Sequence, residues 1–148
     1  MKRIRRILHP TDFSKASAVA FKRAVETAKE NRAELLLVNV FTPSIPALGE
    51  AYVSPKAYAE IEASARAYGK RQLEKLVAKA RRAGARARGF LLEGLAHECI
   101  AQAARRKRAD LVVMGTHGRT GFARFFLGSV ASRVLATAPC PVMTVRAS

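Results

Sequence analysis

Short apolar runs alternate along the chain with longer segments in which apolar residues recur at every third or fourth position. The runs lie at residues 4–8, 35–40, 86–92, 111–114 and 142–145. Continuous apolar character over a short run is typical of parallel strands that are covered on both faces, and the wider spacing is typical of amphipathic helices. The pattern predicts five strands separated by helices, with the third strand, which is the least apolar, nearest an edge of the sheet.

Capping residues place several helix ends. Ser14 is predicted to be the N-cap of the first helix, which we expect to end near Asn31, and Gly84 fits the end of the second. Gly69 lies inside that second helix and predicts a local weakness or bend. The fourth helix is expected to carry Leu127, Val130, Val134 and Leu135 and to stop at Ala138-Pro139-Cys140-Pro141.

The alternation of strands and helices predicts an α/β fold, a single domain over residues 1–148 with parallel strands joined by right-handed crossovers. A chain of 148 residues is the usual size of one compact domain. Residues 42–55 contain three prolines and a glycine and predict a long loop. A lid and a plain surface excursion explain this loop equally well.

The most informative stretch is Val112–Val130, in which an apolar strand leads into a glycine-rich turn and then into a second helix start. Glycine lets an anion approach the main chain, and amides at a helix N-terminus attract negative charge. A phosphate site is therefore expected here. Neither the G-x-x-x-x-G-K-[ST] nor the G-x-G-x-x-G pattern is present.

The glycines instead follow the spacing G-x2-G-x9-G-[ST], at Gly115, Gly118 and Gly128-Ser129. This spacing, the opening Leu8–Ser14 and the ending Ala-Pro-Cys-Pro together resemble the ATP-binding branch of the universal stress protein family. The resemblance covers about residues 2–146. It implies a Rossmann-like open sheet of strand order 3-2-1-4-5, with helices on both faces and ATP, accompanied by Mg2+, bound where strands one and four lie side by side.

The resemblance also assigns candidate roles. On the phosphate side, the candidates are Gly115, Gly118, Arg119, Thr120, Gly121, Gly128, Ser129 and Val130. On the nucleoside side, Asp12 would contact the ribose, Val40 the adenine through its backbone, and Pro10, Thr11 and Met114 would line the pocket. Most have a structural alternative: a turn that binds nothing for the glycines, a solvated side chain for Arg119, helix capping for Asp12 and Ser129, and core packing for Pro10, Val40 and Met114.

No catalytic residue is predicted. His9, His97 and His117 do not have the spacing of metal ligands, and no residue fits the base that would activate a water against the γ-phosphate. We therefore expect a nucleotide-binding protein with at most slow ATP hydrolysis.

The charge of the chain raises a second function. Its formal net charge is +16, and basic proteins attract nucleic acid. Much of this charge falls at residues 70–88 and 105–108, which look like solvated helix faces and ends, and no nucleic-acid-binding sequence pattern is present. Nucleic acid is therefore the less favoured partner.

Two further expectations concern assembly and location. The resemblance implies a homodimer paired through the last strand, Val142 to Val145, and a nucleotide-free dimeric interaction protein is the alternative function. No apolar run is long enough to cross a bilayer and no signal peptide is evident, so we expect a cytoplasmic protein. Its two cysteines, Cys99 and Cys140, are too few for a disulfide framework.

Overall fold

The computed structural model describes residues 2–43, 53–117 and 127–147. In chain order, the elements are β1 (Arg6–Pro10), α1 (Lys15–Asn31), β2 (Glu34–Phe41), α2 (Pro55–Arg82), β3 (Arg86–Glu93), α3 (Ala96–Arg106), β4 (Leu111–Gly115), α4 (Ser129–Thr137) and β5 (Val142–Val145). None of the helices in these ranges combines the length and the apolar character needed to cross a bilayer.

The five strands form one parallel sheet in the order β3-β2-β1-β4-β5. The predicted strand order and the edge position of β3 are both confirmed. The central strand β1 pairs with β2 from Arg6↔Glu34 to Pro10↔Val38, and with β4 at Ile7↔Leu111 and Leu8↔Val112. The chain builds the sheet outward from β1 through β2 to β3, and then adds β4 and β5 on the other side of β1. The strand order therefore reverses between β1 and β4.

Successive residues of the central strands pack into two separate hydrophobic cores. Ile7, Leu35, Leu37 and Val113 pack on the face that carries α1 and α2. Their neighbours Leu8, Leu36, Val38 and Val112 pack on the face that carries α3 and α4. Because each face is covered by helices, both sides of these strands must be apolar, which explains the unbroken apolar runs of the sequence.

Strand β1 lies further along the chain than the sequence predicts. It begins at Arg6 and includes Pro10, whereas we expected it to end before the proline. Proline is tolerated because the pairing with β4 covers only Ile7 and Leu8, and the Thr11 N–H continues the bonding to β2 through the Val38 carbonyl at 2.8 Å. The strand therefore carries the chain right up to the candidate site.

Gly69 has a packing role that the sequence did not indicate, and one expectation for the fourth helix needs correction. A Cβ on Gly69 would lie 3.1 Å from Asn39 Oδ1 and 3.2 Å from Leu91 Cδ1, so this glycine lets an unbroken α2 approach the sheet closely. Leu127 precedes α4, and both it and Leu135 are exposed, while Val134 is buried. The helix is short and turns only a narrow face to the core.

Candidate functional site

The carboxyl ends of β1 and β4 bring two distant sequence motifs together. The turn after β1 begins at Thr11, and β4 ends at Gly115 on the neighbouring strand. In open parallel sheets, ligands bind beyond the carboxyl ends of the strands at the point where the strand order reverses. We call this region the crevice edge, and it contains Pro10, Thr11, Asp12, Met114 and Gly115.

Side-chain hydrogen bonds build the turn between β1 and α1. Thr11 Oγ1 accepts from the Phe13 N–H at 3.0 Å and from Ser17 Oγ at 2.7 Å, and Asp12 Oδ1 accepts from the Ser14 N–H at 3.0 Å. Ser14 Oγ in turn accepts from the Ser17 N–H at 3.1 Å, which confirms Ser14 as the N-cap of α1. Thr11 is buried, so its side chain stabilises the turn from within.

Phe13 adopts a left-handed backbone conformation, with φ of 64°. This is uncommon for a bulky residue, and such strain is concentrated at functional sites. The Phe13 ring packs edge-on against Tyr68 of α2, with ring centroids 6.3 Å apart. The contact and the hydrogen bonds around it hold the strained turn, and with it the neighbouring Asp12, in one place.

Asn39 is a positioning residue that the sequence analysis missed. Its side-chain Nδ2 donates to the Thr11 carbonyl at 2.8 Å, which ties the end of β2 to the β1–α1 turn. Gly69 of α2 packs closely over the Asn39 amide. A signal was available, since Asn39 is the only polar residue in the apolar run 35–40, where an unpaired amide would be costly.

Hydrogen bonds also attach the start of α4 to the end of β4. The Thr116 N–H donates to the Val145 carbonyl at 3.1 Å, and the Gly128 N–H donates to the Thr116 carbonyl at 2.6 Å. The predicted role of Gly128 as an amide donor to phosphate therefore needs correction, because its N–H is already used within the fold. A Cβ at Gly128 would lie 2.9 Å from the Thr116 oxygen.

The first turn of α4 offers amides that bond to no other described residue. The N-cap is Gly128 rather than Ser129, which is the first helical residue and is exposed. Within the described residues, no side chain caps this helix. The amides of Ser129 and Val130 have no acceptor inside the helix, and they lie at the positive end of its dipole.

The remaining predicted residues divide into two groups. Val40 at the end of β2 is half-buried, whereas Pro10 and Met114 are buried, and Met114 packs with the core under α3 and α4. Gly118, Arg119, Thr120 and Gly121 lie outside the described residues.

In the described ranges, no group of three His, Cys, Asp or Glu side chains is placed to hold a metal ion.

His9 lies buried beneath the crevice edge. Its Nδ1 donates to the Val113 carbonyl of β4 at 2.8 Å, while its Nε2 has no partner within the described part of the chain. Burial lowers the pKa of His9 to about 4, although the Val113 carbonyl and the Asp12 charge oppose this. The ring is therefore neutral at pH 7 and contributes a fixed dipole rather than a positive charge.

We expect Gly128→Ala to lower the free energy of unfolding by about 1–3 kcal/mol, the usual cost of overpacking. The Gly128 φ of −58° suits any residue, so the cost arises only from contact with the Thr116 oxygen, which its hydrogen bond holds in place. Chemical denaturation would measure it. Ser132→Ala, at an exposed position one turn later, should change stability by less than about 0.5 kcal/mol. Equal stability of the Gly128→Ala and wild-type proteins would contradict the close contact.

The fold and this edge define a class of protein, an open α/β sheet with a candidate anion site where the strand order reverses. The model of the universal stress protein family matches residues 3–146. A universal stress protein of Methanocaldococcus jannaschii is 37% identical over 146 residues, covering 96% of this chain and 82% of its own. The chain therefore belongs to the universal stress protein family, as the glycine spacing indicated.

Solved structures agree with this assignment. The universal stress protein UspA from Lactobacillus plantarum superposes with a TM-score of 0.84 at 26% identity, over 99% of this chain and 100% of its own. A universal stress protein from Archaeoglobus fulgidus, solved in complex with dAMP, has a TM-score of 0.66 at 24% identity, over 97% of this chain and 98% of its own. At that identity, the second comparison shows the shared fold alone.

Proposed function

We propose that this protein binds an adenine nucleotide, ATP in particular, at the crevice edge. The observation that carries the proposal is the placement of the β1–α1 turn beside the end of β4, to which the Gly128–Thr116 hydrogen bond attaches the start of α4. Polar groups for a nucleoside and amides for a phosphate chain thus lie around one edge of the sheet. The dAMP complex from Archaeoglobus fulgidus is a protein of the same fold that holds such a ligand.

Each end of the nucleotide would meet a different part of the crevice edge. Asp12 would accept hydrogen bonds from the ribose hydroxyls, and Val40 would present its backbone to the adenine. The Ser129 and Val130 amides would bind phosphate oxygens, assisted by the dipole of α4. The glycine-rich segment from Gly118 to Gly121, with Arg119 and Thr120, would complete the phosphate site. Any Mg2+ would be held by phosphate oxygens and water.

Nucleotide occupancy would act as a regulatory signal. Contacts with the phosphates would engage the segment between Gly115 and Ser129 and change the surface that a partner meets. We propose no catalytic residue, and at most slow hydrolysis of ATP. The protein would act in the cytoplasm as a homodimer paired through Val142–Val145, since β5 is an edge strand and its residues are only half-buried.

Titration calorimetry of the nucleotide-free protein with ATP, GTP and adenosine tests this function. We expect ATP to bind more tightly than GTP, and Asp12→Asn to weaken both ATP and adenosine about tenfold, because a hydrogen bond to a charged group contributes about 1.5–3 kcal/mol. The amide retains an oxygen for the Ser14 N–H, so the turn should persist.

Glu74→Gln on the exposed surface of α2 makes the same chemical change away from the crevice edge and should leave binding unchanged. Absence of ATP binding to the wild-type protein, or undiminished affinity in Asp12→Asn, would reject the proposal. The alternative function, a nucleotide-free dimeric interaction protein, predicts that no nucleotide travels with the purified chain. Mass spectrometry of the denatured protein distinguishes the two.

A further inference from the structure

Positive charge is concentrated at the end of the sheet opposite the crevice edge, where strands begin and helices end. We call this region the basic end. Its cations are Lys2, Arg3, Arg5, Arg6, Lys29, Arg32, Lys79, Arg81, Arg82, Arg86, Arg88, Arg105, Arg106, Lys107 and Arg108, and all but the half-buried Lys107 are exposed. Its anions are Glu30, Glu34 and Asp110. In sequence these cations are scattered, and the fold brings them together.

The few anions neutralise little of this charge. Glu34 pairs with Arg88 at 2.7 Å, and Asp110 pairs with Lys2 at 3.3 Å. The Asp110 carboxylate also accepts from the backbone N–H groups of Arg5 and Arg6. Two of the three anions are therefore already engaged, and most of the guanidinium groups remain available to an external anion.

Helix dipoles explain only part of the pattern. Cations in the last turns of α1, α2 and α3 complement the negative helix ends, and this would be enough reason for Lys29, Arg82 or Arg106. The Arg86 guanidinium on β3 likewise donates to the carbonyl of Arg32, the C-cap of α1, at 2.9 Å. Arg3 and Arg5 precede the central strand, however, and belong to no helix end. These cations need another explanation.

Like charges are also held close together at the basic end. Arg88 and Lys107 both lie over the ring of Phe90, at 5.5 and 3.4 Å from its centroid. Burial and the Arg88 charge both lower the pKa of Lys107, burial more strongly. Mutual repulsion of this kind is relieved when a polyanion supplies the missing negative charge.

The distribution of apolar side chains favours nucleic acid over a membrane surface. Among the described residues, the exposed large hydrophobic side chains are Val19, Val53, Ile61, Tyr68, Leu95, Leu127 and Leu135. All but Leu135 lie at or toward the crevice edge, and Leu135 lies near the end of α4. Among the described residues, the basic end therefore has one exposed large apolar side chain rather than the set of anchors typical of membrane-surface binding. Most of its cations are arginines, whose planar fork matches phosphate oxygens.

We propose that the basic end binds the phosphate backbone of nucleic acid without reading its sequence, at a surface separate from the nucleotide crevice. The sequence alone favoured solvated helix faces, because it could not show that the strand starts and helix ends meet. Binding through phosphates releases counterions, so affinity should fall steeply with salt. Since the two sites lie at opposite ends of the sheet, ATP should not compete with the nucleic acid.

Fluorescence anisotropy of a labelled DNA duplex with the full chain, across a range of salt concentrations, tests the proposal. The variant combines Arg3→Ser, Arg82→Ser, Arg105→Ser and Arg106→Ser, whose side chains are exposed and make no hydrogen bond or ion pair with other described residues. We expect the slope of log affinity against log salt to become shallower by about 3–4 for four lost phosphate contacts, and affinity at about 0.1 M salt to fall at least about tenfold.

The matched control removes the same charge elsewhere, with Lys15→Ser, Lys56→Ser, Arg133→Ser and Arg146→Ser. It should keep most of the affinity and slope. Equal losses in the two variants would show that net charge alone drives binding, and would overturn the proposal. Displacement of the duplex by saturating ATP, or tighter binding to phosphatidylserine vesicles than to the duplex, would also overturn it.

Discussion

Replacing Gly94 with alanine should lower the free energy of unfolding by about 2–6 kcal/mol, because a backbone cost and a steric cost add at one position. Gly94 joins β3 to α3 with φ of +143°, a conformation that side chains rarely adopt, and its Cβ would lie 2.9 Å from Cys99 Sγ. The Gly94 backbone also links two strand ends, since its N–H donates to the Phe41 carbonyl and its own carbonyl accepts from Thr42 Oγ1.

Two further variants separate the backbone cost of Gly94→Ala from its steric cost. Gly84→Ala also requires positive φ, here +98°, but its Cβ would make only an ordinary contact of 3.5 Å with Lys29 Cε. It should cost about 1–3 kcal/mol from the backbone alone. In the Gly94→Ala/Cys99→Ala double variant, the steric part should be recovered and the backbone part retained. If Gly94→Ala proves no more costly than Gly84→Ala in denaturant titrations, the contact with Cys99 does not limit that turn.

Acidification should destabilise the protein through His9. The pKa of its buried ring is about 4 in the folded chain, against about 6.5 when unfolded. Below pH 6.5, the unfolded state therefore binds a proton that the folded state refuses. The contribution is fully present above pH 6.5 and is lost progressively down to pH 4, at a cost of about 3 kcal/mol over that window.

His9→Asn offers a direct check. Asparagine retains an N–H for the Val113 carbonyl but does not titrate, so this variant should be less stable at pH 7 and show a flatter stability profile between pH 4 and 6.5. Carboxylates titrate in the same range, which makes the difference between the two profiles the informative quantity. Gln102→Asn, at an exposed position on α3, should retain the wild-type slope. Parallel profiles for wild type and His9→Asn would mean that His9 is protonated while buried.

The sequence was sufficient to predict the fold because neighbouring residues of a strand lie on opposite faces of the sheet, and each face that helices cover must be apolar. The runs at 35–40 and 111–114 need apolar side chains on both faces, and this fixed their place in the interior of the sheet. Pro10 was harder to place. Whether a strand tolerates proline depends on how far its neighbour pairs with it, and a single sequence does not contain that information.

The candidate site was less predictable than the fold. The glycine spacing located its two turns, but the partner of the Gly128 N–H is Thr116, a contact set by the path of the chain between β4 and α4. Asn39 acts on a turn that lies far from it in sequence. Nothing in the sequence predicted the left-handed conformation of Phe13, because phenylalanine is not a residue that favours it.

The two edge strands of the sheet differ in charge. Strand β3 carries Arg86, Arg88 and Glu93 along its free margin, whereas β5 exposes a short uncharged margin from Val142 to Val145. Charged margins discourage the addition of further strands. Pairing of two chains through β5 would thus leave a charged β3 as the edge strand at each side of the joined sheet. Assembly would therefore stop at two chains and would not continue into a fibre.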